Sequence, residues 1–262
     1  MVKKNNKPKI RFLNDCLLID NEILVIGDIH IGYEEHIAQE GIIPRIQYKE
    51  IVKKLDKIFL LLDKGGIKIK KIILLGDLKH EFGGISNSEW RETLQLLDYL
   101  DEKIDKKNKG NRIVLIKGNH DNILGPIARK RNVKLKKYYS IRGICFLHGN
   151  KVEGGCCGKG ILVMGHLHPS ISLGDNYKKE KYKCFLKGKW NRKIVYILPS
   201  FSGISLGYDL RKLNEKMKEE RSGMKTKNFV VVENKALRNF EIIIYNEKDE
   251  NVLNFGKLRK MK

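Results

Sequence analysis

Apolar residues in this chain are gathered into short runs, most of which stop abruptly at polar residues. Cys16–Ile19 and Ile23–Ile26 are two such runs, separated by Asp20–Asn21, a pair suited to a tight turn, and they predict a β-hairpin. The second run, within EILVIGDIH, is apolar up to Gly27 and polar beyond it, as a buried strand is when it delivers side chains to the rim of a sheet. Pro44 suits the first position of a helix, where its missing N–H costs nothing. Ile51, Val52, Leu55, Ile58, Phe59 and Leu62 then recur at helical spacing until Gly65–Gly66. KIILLGDLKH, from Lys71, reads as a second buried strand. Ser86 with Glu89 makes a capping-box pattern ahead of a helix face bearing Trp90, Leu94 and Leu97. RIVLIKGNHD is the third strand. Strand, helix, strand, helix, strand is the order of a parallel sheet with crossover helices.

Beyond this point the chain turns strand-rich. GICFLHG, GILVMGHLHP, KIVYILPSF, NFVVVE and NFEIIIYN are short and rich in β-branched or aromatic residues. Lys212 to Lys227 is a charged stretch, either a surface helix or a mobile loop. There is no internal repeat and no interdomain linker. The pattern predicts an α/β fold of two packed β-sheets flanked by helices. It also predicts one domain over 1–262, with its polar strand ends within 27–168 and a strand-rich part over 194–262.

Composition narrows the class. In 262 residues with 41% hydrophobic content no apolar run approaches the ~18 residues that span a bilayer. The start, MVKKNNKPKIRF, is basic but not followed by an apolar stretch, so it is no secretory signal. These features predict a cytoplasmic protein without membrane contact. Five cysteines, Cys16, Cys145, Cys156, Cys157 and Cys184, form no CxxC pair, and their odd number argues against a disulfide framework. GGCCGKG does not meet the phosphate-loop pattern, since Gly160 stands where Ser or Thr is needed, and it reads as a small-residue loop. The net charge of +22, from 53 basic and 31 acidic residues, favours polyanionic partners. The surplus is mostly lysine, 41 against 12 arginines, spread along the whole chain, and so also fits a general compositional drift.

The histidines carry the chemistry. Six of the seven, His30, His80, His120, His148, His166 and His168, directly follow strand-like runs, and Asp28, Asp77, Asn119 and Asp121 stand beside them. One histidine at a strand end is ordinarily a structural hydrogen-bonder; five such clusters are not. Carboxyl ends of parallel strands open on a common edge where ligands bind. Asp28 and His30, like His166 and His168, are two apart, which aims both side chains the same way. Imidazole and carboxylate together suit Mn²⁺, Fe²⁺, Zn²⁺ or similar ions such as Ni²⁺. There are too many ligands for one ion, so two divalent metal ions are expected, Mn²⁺ foremost.

GDIH, GDLKH, GNHD, FLHG and GHLH, in that order from Gly27 to His168, resemble the motifs of the calcineurin-like metallophosphoesterases. The resemblance implies that family's four-layer αββα sandwich and hydrolysis of phosphate esters by water activated between two metal ions. It implies Asp28, His30 and His168 on the first metal, Asn119, His148 and His166 on the second, and Asp77 bridging them. His120 would contact the phosphate or protonate the leaving oxygen, and Asp121 would orient His120 or serve the structure alone. Protein serine/threonine phosphatases carry GDxVDRG where this chain has GDLKHEFG. His80 there resembles the SbcD-type DNA nucleases, in which that histidine assists at the phosphodiester; the other reading is a loop residue facing solvent. GDIHIGYEEHIAQEGIIP, KCFL and LPSFSGISLGYDL extend the similarity to SbcD-related archaeal phosphoesterases and bacterial ligase-associated DNA-repair phosphoesterases. The expected function is a phosphodiesterase or nuclease with DNA or RNA as partner; the alternative is a phosphoesterase of small nucleotides. The oligomeric state has no signature in the chain.

Overall fold

The computed structural model describes residues 7–38, 46–108, 112–156, 158–174, 178–213 and 230–261. Its first sheet grows from the hairpin anticipated above. Strand β2 (Cys16–Ile19) turns through Asp20, Asn21 and Glu22, the first two with positive φ, into antiparallel β3 (Ile23–Ile26). Strands β4 (Lys71–Leu74), β5 (Ile113–Ile116) and β6 (Lys134–Lys136) add in parallel beyond β3, and β1 (Ile10–Leu13) closes the other edge.

The crossovers are helical. Helix α1 (Tyr33–Ala38) follows β3 directly, and α2 (Gln47–Lys64) buries Ile51, Leu55, Ile58, Phe59 and Leu62 before ending at Gly65. Pro44 lies outside the described residues. Helix α3 (Asn87–Glu102) is capped by Ser86, whose hydroxyl accepts from the Glu89 N–H, and α4 (Leu124–Lys130) follows β5. These helices cover one face of the sheet, burying Leu18, Leu24, Ile26, Ile72, Leu74 and Leu115 against them.

The second sheet has seven strands. Parallel β8 (Ile144–Leu147), β9 (Ile161–Met164) and β13 (Lys193–Ile197) form its centre, with β7 (Tyr138–Ile141) on one edge. On the other side lie antiparallel β12 (Phe185–Trp190), β15 (Glu241–Asn246) and β16 (Asn251–Lys257). Alternation within the strands builds the sandwich. Leu17, Ile19, Val25, Ile73 and Val114 of the first sheet face Ile144, Phe146, Val163, Phe185 and Ile243 of the second. The outer face of the second sheet is covered by a mixed layer. It holds the one-turn helix α5 (Asn234–Leu237) and a small sheet of β10 (Pro169–Gly174), β11 (Lys179–Lys183) and β14 (Tyr208–Asp209).

Two expectations need correction. NFVVVE is not a strand in its described part: Val230 and Val232 are buried, and Val231 N–H donates to the Gly149 carbonyl (3.0 Å), but the segment joins no sheet. Cys145 and Cys156 form a disulfide, which the odd cysteine count concealed. Cys157 and most of Lys212 to Lys227 lie outside the described residues.

Candidate metal centre

Five parallel strands, three from one sheet and two from the other, end at one edge of the sandwich. Each hands over a polar residue within a few positions of its last apolar one: Asp28 and His30 after β3, Asp77 and His80 after β4, Asn119 and His120 after β5. His148 follows β8, and His166 and His168 follow β9. The backbone turns sharply there. Asp28, His30, Asp77, His166 and His168 all have φ between +48° and +68°, a left-handed conformation that costs a non-glycine residue about 1–2 kcal/mol. The motif glycines answer a different need, close approach. A Cβ on Gly118 would come within 2.1 Å of Asp77 Oδ1, and one on Gly165 within 2.2 Å of Asp28 Oδ2.

Three groups of potential ligand atoms lie within coordinating reach, the atoms of each within 4.8 Å of one another. Asp28, His30 and His168 make one and Asp77, His148 and His166 a second, the two that hold a carboxylate; His30, His80 and His120 make a third, which shares His30 with the first. Asn119 joins the second, its Oδ1 2.9 Å from His148 Nε2. Asp77 lies between the groups, with Oδ2 3.2 Å from His148 Nε2 and 3.8 Å from His30 Nε2. All seven residues proposed as ligands are therefore brought together.

Whether a cation fits can be judged from the donors themselves. Around His148 Nε2 converge Asn119 Oδ1 (2.9 Å), His166 Nδ1 (3.0 Å) and Asp77 Oδ2 (3.2 Å), three atoms carrying lone pairs. Burial opposes a charged His148, but Asp77 and Asp28 outweigh it and raise its pKa to about 9. In the metal-free protein a proton thus occupies a place that a divalent ion fills better. In the other group His30 Nε2 and His168 Nε2 face each other at 3.3 Å. The fully buried Asp28 Oδ1, 3.2 Å from His168 Nε2, finds no aligned hydrogen-bond donor. Burial and the neighbouring His168 hold His30 down to about 3, keeping it a neutral imidazole with one ring nitrogen free to bind a metal. His166, depressed to about 4 by burial and His148, is in the same state. Burial would raise the Asp28 and Asp77 carboxyls, yet the adjacent histidines keep both below the ordinary carboxylate range. Nitrogen and carboxylate donors with two sub-sites fit two divalent ions, and thiolate is absent from both groups.

His120 stands beside these groups. Its backbone N–H donates to Asp77 Oδ1 (2.9 Å), and its Nδ1–H donates to the His80 carbonyl (2.5 Å). The hydrogen bonds of the Asp121 carboxylate go to the backbone and not to the His120 ring. Fully buried, it accepts from the N–H groups of Gly118 (2.9 Å) and Leu78 (3.1 Å), knitting two motif loops together, and burial raises its pKa to about 6. His80 is partly buried and lies against the site. Its ring stacks on His120 with centroids 5.3 Å apart, and its Nδ1 lies 3.3 Å from that of His30. Burial and His120 lower its pKa to about 4. His36, apart from the others in sequence, packs its ring 5.3 Å from His80.

A supporting layer was invisible in the sequence. The Glu89 carboxylate, in the first turn of α3, accepts from the N–H of His80 (2.7 Å) and Glu81 (3.0 Å). Gln47 donates to the His30 carbonyl (2.7 Å), and Glu34 accepts from the N–H groups of Ile46 and Gln47 (2.8 Å each). Ser200 donates from Oγ to the Asp28 carbonyl (2.8 Å), tying the sheets together at the site.

Such a sandwich, with two histidine–carboxylate groups at its strand ends, defines a metal-dependent hydrolase. Residues 22–205 match the calcineurin-like phosphoesterase family, and the chain belongs to it. Among solved structures, the nuclease MPE of Pseudomonas putida is similar with a TM-score of 0.56 and 15% identity, over 90% of this chain and 95% of that one. Wild-type Vps29 of Entamoeba histolytica complexed with Zn²⁺ aligns with a TM-score of 0.36 and 15% identity, over 88% and 96%. No curated protein was found to match. Among the described residues no helix is long and apolar enough to cross a membrane.

Proposed function

We propose that this protein is a two-metal phosphodiesterase that cleaves nucleic acid. The observation that carries the chemistry is the pair of ligand groups joined through Asp77, with His120 beside them. Asp28, His30 and His168 would hold one ion and Asn119, His148 and His166 the other, with Asp77 shared. Mn²⁺ is the expected metal, given nitrogen and oxygen donors without sulfur. Bound there, such ions polarise the phosphoryl group and lower the pKa of water. The chain's own residues do the rest. With Nδ1–H committed to the His80 carbonyl, His120 presents Nε2 to substrate, where an imidazolium can contact a phosphoryl oxygen or protonate the departing alkoxide. His80, stacked on it, shields its outer face.

Nucleic acid as substrate is supported by the net charge of +22. The Pseudomonas putida protein that shares the fold is a nuclease, and the same activity is proposed for this chain. The test compares metal-free protein, then protein with added Mn²⁺, on DNA and RNA oligonucleotides and on a panel of cyclic and linear mononucleotides. Oligonucleotide cleavage that needs Mn²⁺ and weakens steeply between about 50 and 200 mM salt is expected. Turnover confined to mononucleotides overturns the assignment in favour of a small-nucleotide phosphoesterase.

A further inference from the structure

Four rings line one rim of the metal centre. Tyr33 packs on His80 (centroids 4.3 Å apart), His80 stacks on His120, and Phe82 meets His120 edge-on at 5.4 Å with the planes 86° apart. The first three are partly buried; Phe82 is 55% exposed. A single exposed phenylalanine is ordinary on a protein surface. This one belongs to none of the three apolar cores, and its ring contact is with the histidine that faces the reacting phosphate.

The main chain around Phe82 is held while the ring is open. The Phe82 carbonyl accepts from Asn122 Nδ2 (3.5 Å), the Glu81 carbonyl accepts from the buried Lys79 ammonium, and the Glu81 N–H is bound by Glu89. The next residue is open too: a Cβ on Gly83 would meet no atom within 4 Å. Lys79, with no exposed surface, is the largest fully buried side chain in the protein's described part, so the loop is anchored from beneath rather than draped over the site. An anchored loop presenting an aromatic face one ring away from the proposed proton donor is the geometry of a stacking platform, not of a packing residue.

We propose that Phe82 stacks an unpaired nucleobase of the strand whose phosphodiester lies at His120. The inference rests on the nucleic-acid reading and adds the part of substrate recognised. A nucleobase offers a flat, weakly solvated face whichever base it is, so one ring can serve any sequence. In a duplex that face is covered by the neighbouring base pair, so the platform takes only a base outside a stack.

The test uses the full Mn²⁺-loaded protein on a single-stranded oligodeoxynucleotide and on a fully abasic strand of the same length. In the wild type the abasic strand is expected to show a KM about tenfold higher, the scale of one base–aromatic contact. Phe82→Ala and Phe82→Leu should collapse that ratio towards one, and Phe82→Trp should restore it. Leu keeps the volume without the ring face, so it guards against a folding defect in Ala. An unchanged ratio in Ala and Leu overturns the proposal. So does an equal fall of kcat on both strands, which means that Phe82 only props His120. Wild-type turnover of methyl p-nitrophenyl phosphate with none of either strand refutes the nucleic-acid reading itself, and the platform falls with it.

Discussion

The Nδ1–H of His120 donates to the backbone carbonyl of His80 across 2.5 Å, so one motif loop sets the tautomer of a histidine in another. The bond leaves Nε2 as the atom available to substrate. His120→Asn should therefore keep both metals yet lose about 10²–10⁴ in kcat on a nucleoside ester, whose alkoxide needs a proton to leave. The loss should be smaller for a p-nitrophenyl ester, which departs unprotonated. Equal losses on both esters assign His120 to phosphate contact alone, and wild-type rates on both remove it from the chemistry.

Asp77 Oδ2 lies 3.2 Å from His148 Nε2 and 3.8 Å from His30 Nε2, one nitrogen from each ligand group, and its other oxygen accepts the His120 N–H. Asp77→Ala is expected to bind fewer than two metal ions per chain by elemental analysis and to lose all detectable turnover. A variant still holding two ions shows that the groups do not depend on a shared carboxylate.

Glu89 holds the His80 loop from a buried position, accepting two of its backbone N–H groups. In Glu89→Ala those donors lose their partner without gaining water, at a cost of about 1–3 kcal/mol in urea unfolding. Because the loop also sets His120, kcat should fall while metal content stays at two. Unchanged stability together with unchanged kcat would show that the loop holds itself.

Lys183 offers a pH signature away from the metal centre. Its ammonium is enclosed, donating to the carbonyls of Ser200 (2.7 Å) and Ser202, with Asp15 at 3.7 Å. Burial depresses its pKa from 10.5 to about 8, against the pull of Asp15. Between those values the unfolded chain holds a proton that the folded one has released, so stability rises with pH across that window, by roughly 3 kcal/mol in total. Urea unfolding of metal-free protein at pH 7.5, 9 and 10.5 should show this rise, and Lys183→Met should lose it. Parallel curves for the two proteins would place the Lys183 pKa at its ordinary value.

The residues now gathered at one edge were legible in the sequence as candidate ligands, because an apolar strand that stops at Asp28, Asp77, Asn119, His148 or His166 leaves few reasons for a polar residue there. The strands that the pattern did not reveal are largely edges. β1 and β6 border the first sheet, β7 and β16 the second, and β11 and β14 the third. An edge strand needs no continuous apolar face and is commonly charged, as KLK in β6 and KEKYK in β11 are. Glu89 was visible as a capping residue for α3, but its reach to His80 and Glu81 depends on how that helix docks. The Cys145–Cys156 bridge was hidden for the same reason: the two are 11 positions apart in sequence, and only the fold brings their Cα atoms to 5.5 Å.

The left-handed backbone at Asp28, His30, Asp77, His166 and His168 sets ligand geometry against chain preference. At each of these positions glycine would relax the backbone by about 1 kcal/mol or more, while removing a proposed ligand. Ordinarily the first substitutions to accumulate in a gene copy freed from selection are destabilising, and they erode the fold along with the activity. Here the path out of catalysis runs partly downhill. A lineage that no longer needed the reaction could discard its ligands and keep, or even firm up, the sandwich that carried them. The same bias faces anyone selecting variants of this protein for heat resistance alone: without a screen for turnover, the strand ends are where activity would be exchanged for stability.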